Sequence, residues 1–342
     1  MSRAIKTGLV GFGRVAEIMH APLIEQQPLL DLVAVVERHQ QKSKEEYPQV
    51  TVYKSLTEML SSDAELVIIC TPNEWHFSQA KEALEAGKHV IVDKPIAISS
   101  EEAEALLELA KSKGLLLSAF QNRRWDGDFQ TIQKLLKENT LGRIVHFESH
   151  YDRFRPVPNE NWREKKVPGS GILFDLGTHL IDQTLQLFGW PKWVYAEILT
   201  QRKGVEADDF FDLTMMYEDI NVRLTASILM NAKLPRFLIL GEKGSYSKYG
   251  LDVQEGELKA GIIPGGNGWG EEPEAAWGEV FLDHETFPYP TLNGNYPAYY
   301  ENIAKVINGE EELVVKPEEA IATLKIIEAA QKSHAEGKRI YL

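Results

Sequence analysis

"GLVGFGRVAE", Gly8–Glu17, is the stretch that decides the fold. An apolar run ends at Val10, and Gly11, Gly13 and Ala16 follow in a G-x-G-x-x-A spacing that opens an amphipathic segment. Each position answers a physical requirement. The first glycine permits a tight turn, the second lets backbone approach a pyrophosphate, and the small third residue allows the helix to close onto the strand. Free amides at the helix N-terminus attract the anion. The reading is a strand–turn–helix whose turn, Gly11, Phe12, Gly13, Arg14 and Val15, contacts a dinucleotide. Glu37 ends the next strand, 21 residues after Ala16, where an acid grips a ribose. Arg38 follows at once. A carboxylate favours the free 2′-hydroxyl of NAD and a guanidinium the 2′-phosphate of NADP, so either cofactor is open, with a slight lean to NAD from Glu37.

The same grammar extends through the first 120 residues. "AIKTGLVGF" and "LDLVAVVE" are strands, with helices from Arg14 to Gln27 and from about Gln40 to Tyr47. "AELVIIC", "KHVIVDKP" and "LLLSAF" are further strands. They are separated by helices from Glu74 to Ala86 and over "SSEEAEALLELAKSKG", the latter capped by Ser99 or Ser100. Continuous Val/Ile/Leu strands alternating with helices predict a doubly wound parallel sheet covered on both faces. Ligands bind at the carboxyl edge of such sheets. Thr71, Pro72, Asn73 and His76 in "CTPNEWH", and Asp93 and Lys94 before Pro95, lie there and are cofactor candidates. Lys94 is also placed to hydrogen-bond a substrate hydroxyl.

From about Gln121 the pattern changes. After a helix from Asp126 to Glu138 come "GRIVHFESHYDRF", "WVYAEILTQ", "DDFFDLTMMY", "NVRLTASILM" and "RFLILG", strands with no helix between most of them. This predicts a C-terminal α+β domain with a large, mostly antiparallel sheet. The division is residues 1–121, dinucleotide-binding, and 122–342, substrate-binding and oligomerisation. "GIIPGGNGWGEEPEAAWG" reads as a loop, and helices return at Pro297–Asn308 and Pro317–Glu336. One helix is odd. "LFDLGTHLID", Leu173–Asp182, is apolar enough to be buried, yet Asp175, His179 and Asp182 stack along one face at i, i+4 and i+7. Buried ionisable groups are costly unless paired or used. Asn122, Arg123 and Trp125, with the aromatic–arginine set Tyr151, Arg153, Arg155, Trp162 and Arg163, are further pocket candidates. Tyr299 and Tyr300 read as helix packing.

Composition narrows the classes. The chain has 342 residues, enough for two domains, and is 43% hydrophobic and 26% charged, as ordinary soluble proteins are. With 37 basic and 51 acidic residues the net charge is −14, which disfavours nucleic acid and anionic membrane as partners. A single cysteine, Cys70, excludes an internal disulfide framework and fits a reducing, cytoplasmic setting. Neither a signal peptide nor a bilayer-spanning run is expected.

With these pieces together, the chain resembles the Gfo/Idh/MocA family of NAD(P)-dependent oxidoreductases along essentially its whole length. The resemblance rests on "GFGRVAE", "TPNEWH", "EAGKHVIVDKP", "NRRWDGDF" and "GILFDLGTHLIDQTLQLFG". "QNRRWDGDF", "YDRFRP", "NWREK" and "KYGLDVQE" look like the branch holding scyllo-inositol dehydrogenases. It implies a hydride transfer between nicotinamide and a cyclic polyol or sugar, and a homodimer or homotetramer formed through the open face of the C-terminal sheet. The family's E-K-P lysine matches Lys94, with Asp93 in place of the glutamate. Its D-x-x-x-H pair matches Asp175 and His179, the latter as acid/base, and Asp182 matches an acid that touches substrate hydroxyls. No metal is implied. Readings that stay open are a cofactor-binding sensor, transient nicotinamide use in sugar-bond cleavage, and a metal enzyme built on Asp175, His179 and Asp182.

Overall fold

The computed structural model describes residues 3–159 and 161–342. The first sheet has six parallel strands: β1 (Ile5–Val10), β2 (Leu30–Val36), β3 (Thr51–Tyr53), β4 (Leu66–Ile69), β5 (His89–Val92) and β6 (Leu117–Ala119). Their order is β3-β2-β1-β4-β5-β6. The chain leaves β1 toward β2 and β3, then returns to the other side of β1 as β4. The order therefore reverses between β1 and β4, and the crevice outside their carboxyl ends is the ligand position of such sheets. β4 is buried along its whole length, as a strand covered on both faces must be. The doubly wound parallel sheet is thus present.

Local details differ from the sequence reading. β3 is an extra edge strand of only three residues, too short to show a period. The helix expected over Arg14–Gln27 is not plain α: Ala16–His20 is a π turn, followed by an α segment at Ala21–Glu25. Pro22 lacks the N–H that an α turn would use there, and a wider turn accommodates it. The helix Ser100–Lys113 is capped by Ser99, whose hydroxyl accepts from the Glu102 amide.

The second sheet has nine strands: β7 (Ile144–His150), β8 (Trp193–Leu199), β9 (Phe210–Met216), β10 (Asn221–Ser227), β11 (Phe237–Gly241), β12 (Gly244–Lys248), β13 (Gly278–Leu282), β14 (Thr286–Tyr289) and β15 (Ile340–Tyr341). The order is β14-β13-β12-β11-β7-β10-β9-β8-β15, and among the described residues only the β7–β10 pair of this sheet is parallel. Burial alternates along β9 with Phe211, Leu213 and Met215 inside, the mark of a sheet covered on one face. The mostly antiparallel sheet is present, with β12 to β15 added to the expected set.

Packing divides the chain into two compact units that are discontinuous in sequence. One holds the chain through Trp125 together with Gln254–Trp269 and Asn295–Ile321, so its core combines Rossmann strands with Tyr296, Tyr299 and Tyr300. The other holds Asp126–Val253, Gly270–Gly294 and Ala322–Leu342. The change of grammar near Gln121 marks the order of elements, whereas packing draws two later segments into the first unit.

Candidate active site

The first unit carries a cleft of about 730 Å³ at the carboxyl ends of its strands. Gly11, Phe12, Gly13, Glu37, Arg38, Thr71 and Pro72 line it, as the sequence reading expects. Gly11 has φ +87°, open to glycine, and a Cβ there would crowd the Thr71 methyl at 3.3 Å. A Cβ at Gly13 would meet nothing within 4 Å, so the backbone is bare toward the cleft. That is a cradle of the shape a pyrophosphate requires. Arg14 is exposed and Val15 half-buried, and neither lines the cleft.

Glu37 lies at the rim but does not point its acid outward. It is 8% exposed, and its carboxylate accepts from the Lys42 amide at 3.1 Å, the Ser43 amide at 3.0 Å and the Ser43 hydroxyl. It caps the helix Lys42–Glu46 from the end of β2. Arg38 is exposed, and His39 and Lys54 join it along the cleft.

At the neighbouring turns, His76 is buried and holds two loops together. Its ring nitrogens face the Pro95 carbonyl at 2.7 Å and the Thr71 carbonyl at 2.8 Å. Burial lowers its pKa against the opposing pull of those carbonyls and of Asp93. His76 therefore ties the Thr71 turn to the Lys94–Pro95 turn, while Asn73 is buried beside it. Asp93 is also buried. Burial alone would raise its carboxyl, but His20 and the Lys94 charge outweigh that and hold it below the usual range. Arg123 is 6% exposed and ion-paired to Glu255 at 2.6 Å, and Trp125 packs edge-on against Tyr299. Asn122 is buried with them. The structure gives Arg123 and Trp125 packing roles within the first unit.

In the second unit, the Leu173 stretch begins with a π turn, Leu173–Gly177, and continues as the helix Thr178–Phe188. π turns widen a helix locally and recur at functional sites. Asp175 sits in that turn, 3.5 Å from Arg153 and 3.6 Å from Arg163. Arg153 lies over the Tyr151 ring and Arg163 over Trp162, so these two aromatic–arginine pairs gather around one carboxylate, while Arg155 is exposed and makes no ion pair with it. His179 and Asp182 follow on the same helix, 5% and 2% exposed. Among the described residues, no group of three or more His, Cys, Asp or Glu is arranged to hold a metal ion, and no helix is long and apolar enough to cross a membrane.

The sequence reading missed the group that starts this helix. The Asp208 carboxylate accepts from the Leu173 amide at 2.8 Å and its carbonyl from the Ile172 amide at 2.9 Å. Gly171, φ +89°, makes room, because a Cβ there would overlap the Asp208 carboxylate. Burial pushes the Asp208 pKa up to about 6, the backbone amides opposing it only in part. The folded state thus prefers the protonated acid, and this group's contribution to stability falls as pH rises from about 4 to about 6. Asp208→Asn is expected to raise stability by on the order of 2 kcal/mol above pH 6 and to leave it unchanged near pH 4. Denaturant melts at the two pH values check this.

Comparison with known proteins accords with this geometry. Residues 5–121 match the oxidoreductase family's NAD-binding Rossmann fold, and residues 133–342 match its C-terminal alpha/beta domain. The chain belongs to the Gfo/Idh/MocA oxidoreductase family. It is 40% identical over 339 residues to the uncharacterized oxidoreductase YdgJ of Escherichia coli, covering 97% of each chain. It is 38% identical over 343 residues to the scyllo-inositol 2-dehydrogenase (NADP(+)) IolW of Bacillus subtilis, covering 99% of this chain and 96% of that one. The solved structure of the Bacillus subtilis oxidoreductase YvaA superposes with a TM-score of 0.96 at 37% identity, covering 100% of this chain and 99% of that one. As a Gfo/Idh/MocA member, the chain has Lys94 in its first unit and Asp175 and His179 in its second.

Proposed function

We propose that the chain is an NADP-dependent dehydrogenase that oxidises a hydroxyl of an inositol-like cyclic polyol, or reduces the matching ketone. Similarity over nearly the full chain to a scyllo-inositol 2-dehydrogenase carries the substrate class. The bare backbone at Gly13 and the turn at Gly11 fit a pyrophosphate. When bound, the dinucleotide supplies hydride exchange with the substrate carbon. His179 takes the hydroxyl proton, a task suited to imidazole near neutral pH. Asp175, held by Arg153 and Arg163, steadies the imidazole and its charged form. Lys94 hydrogen-bonds a substrate hydroxyl, as the family resemblance implies, and Asp182 is a further hydroxyl-binding acid. The open face of the nine-stranded sheet is the surface through which a homodimer or homotetramer forms.

The preference for NADP departs from the lean that Glu37 suggested. A carboxylate already accepting three hydrogen bonds from Lys42 and Ser43 is poorly placed to grip a ribose diol. Nor does it stand exposed to repel a 2′-phosphate, and exposed Arg38, with Lys54, supplies positive charge on the same cleft. Arg38→Ala is expected to weaken NADP binding by ~10-fold or more, the scale of a lost charge-assisted hydrogen bond, with little effect on NAD. Equal losses for both cofactors would place Arg38 away from the ribose. The reading as a whole is tested by a panel of inositols, aldoses and their ketones, each with NAD and NADP, followed by nicotinamide absorbance. Turnover of an inositol with NADP supports it, and silence across the panel in both directions overturns it.

A further inference from the structure

The roles proposed above leave His20 and Tyr300 unused. His20 lies in the π turn after the glycine loop and is completely buried. Its Nδ1 is 2.6 Å from the Tyr300 hydroxyl, its Nε2 is 3.6 Å from the Asp93 carboxylate, and its ring packs at a tilt against Phe120, 4.2 Å between centroids. Asp93 is the residue before Lys94, and its own amide is fixed by donation to the Ile69 carbonyl at 2.8 Å. We propose that Tyr300 and His20 are positioning residues: they fix the tautomer of a buried imidazole that holds the Asp93 carboxylate, and through it the turn that carries Lys94. This rests on the reading of Lys94 as a group that touches the reacting hydroxyl.

The direction of the relay follows from donor and acceptor chemistry. A phenol can donate to an imidazole nitrogen or accept from it. If Nδ1–H donated to Tyr300, the Nε2 lone pair would face a carboxylate, which is repulsive. If Tyr300 donates, Nδ1 accepts and the ring proton sits on Nε2, facing Asp93. Burial pushes the Tyr300 phenol far above its ordinary range, so the proton needed for donation stays on it. The Nε2 atom has no other hydrogen-bond partner. At 3.6 Å the contact to Asp93 is longer than a hydrogen bond, so the attraction is electrostatic across a gap. A glutamate, one methylene longer, spans that gap. The other titratable groups around the Asp93 carboxylate are Lys94, His76, Cys70 and Tyr299. Of these, Lys94 carries the positive charge that an ordered Asp93 holds in place.

The test uses the full-length protein with 15N-labelled histidine, free of cofactor, and the variants Tyr300→Phe, Asp93→Asn and Asp93→Glu. Nitrogen shifts should report His20 protonated on Nε2 in the wild type and a mixture of tautomers in Tyr300→Phe. With turnover, Tyr300→Phe and Asp93→Asn should lower kcat by about 3- to 10-fold, the scale of one hydrogen bond, and alter the pH profile. Dinucleotide affinity of Tyr300→Phe, read from quenching of the intrinsic tryptophan fluorescence, to which Trp75 at the cleft contributes, should stay near wild type. Asp93→Glu, which keeps the carboxylate and spans the gap, should lose less kcat than Asp93→Asn. A wild-type His20 protonated on Nδ1 overturns the relay whether or not turnover is seen. Unchanged kcat and pH profile in Tyr300→Phe, with only a lower melting point, make the pair simple packing and overturn it too. If instead Lys94→Ala retains full turnover, the reading of Lys94 fails while the tautomer result stands apart from it.

Discussion

His179→Ala lowers kcat by ~10²-fold or more while NADP affinity remains near wild type, because an acid/base contributes ~10²- to 10⁴-fold and makes no demand on ground-state cofactor binding. The side chain is buried on a helix whose start is fixed by Asp208 and whose π turn holds Asp175 between two arginines. Loss of one imidazole there removes the proton acceptor without removing the frame. The residual rate should rise with pH as hydroxide replaces the base. Steady-state kinetics across pH, with dinucleotide titration as control, decide it. A variant with near-normal kcat at every pH would make His179 a structural histidine.

Lys94→Ala is the second large effect, also ~10²-fold in kcat, the scale of a lost group acting on the reacting oxygen. The lysine follows β5 at the carboxyl edge of the first sheet, and the cis Lys94–Pro95 peptide and the His76 contact to the Pro95 carbonyl define its turn. Lys94→Arg should recover little, because a planar guanidinium does not replace a compact ammonium. The kcat and KM of both variants separate this from a binding role: a rise in KM at constant kcat would mean that Lys94 only holds substrate.

Much of this architecture is legible in the residues. Strands such as "AELVIIC" announce burial on both faces, and Gly11, Gly13 and Ala16 announce the turn, because both signals are local and periodic. β12 to β14 are not legible in the same way. "GSYSK" has no apolar alternation, and "TFPY" carries Pro288, which only an edge strand tolerates. Asp175, His179 and Asp182 stand out because the ionisable groups share one face of a largely apolar helix. The capping of Lys42 and Ser43 by Glu37 is not legible, since it is a tertiary contact between a strand end and the following helix. Tyr300 reads as packing because its partner His20 is 280 residues away. Asp208 reads as part of a strand, and only the fold brings it to the Leu173 amide. Arg123 looks like a pocket residue by its place in "QNRRWD", yet Glu255 pairs with it inside the first unit. Local pattern finds elements and motifs; partners distant in sequence decide what each polar side chain is for.

The proposed reaction moves hydride between a polyol carbon and NADP. The most direct measurement supplies an inositol deuterated at its ring carbons, together with NADP, and reads the label by mass spectrometry. The account predicts NADPH carrying one deuteron and a singly oxidised inositol lacking it. Dinucleotide that remains unlabelled while product forms, or label found only in water, would contradict it.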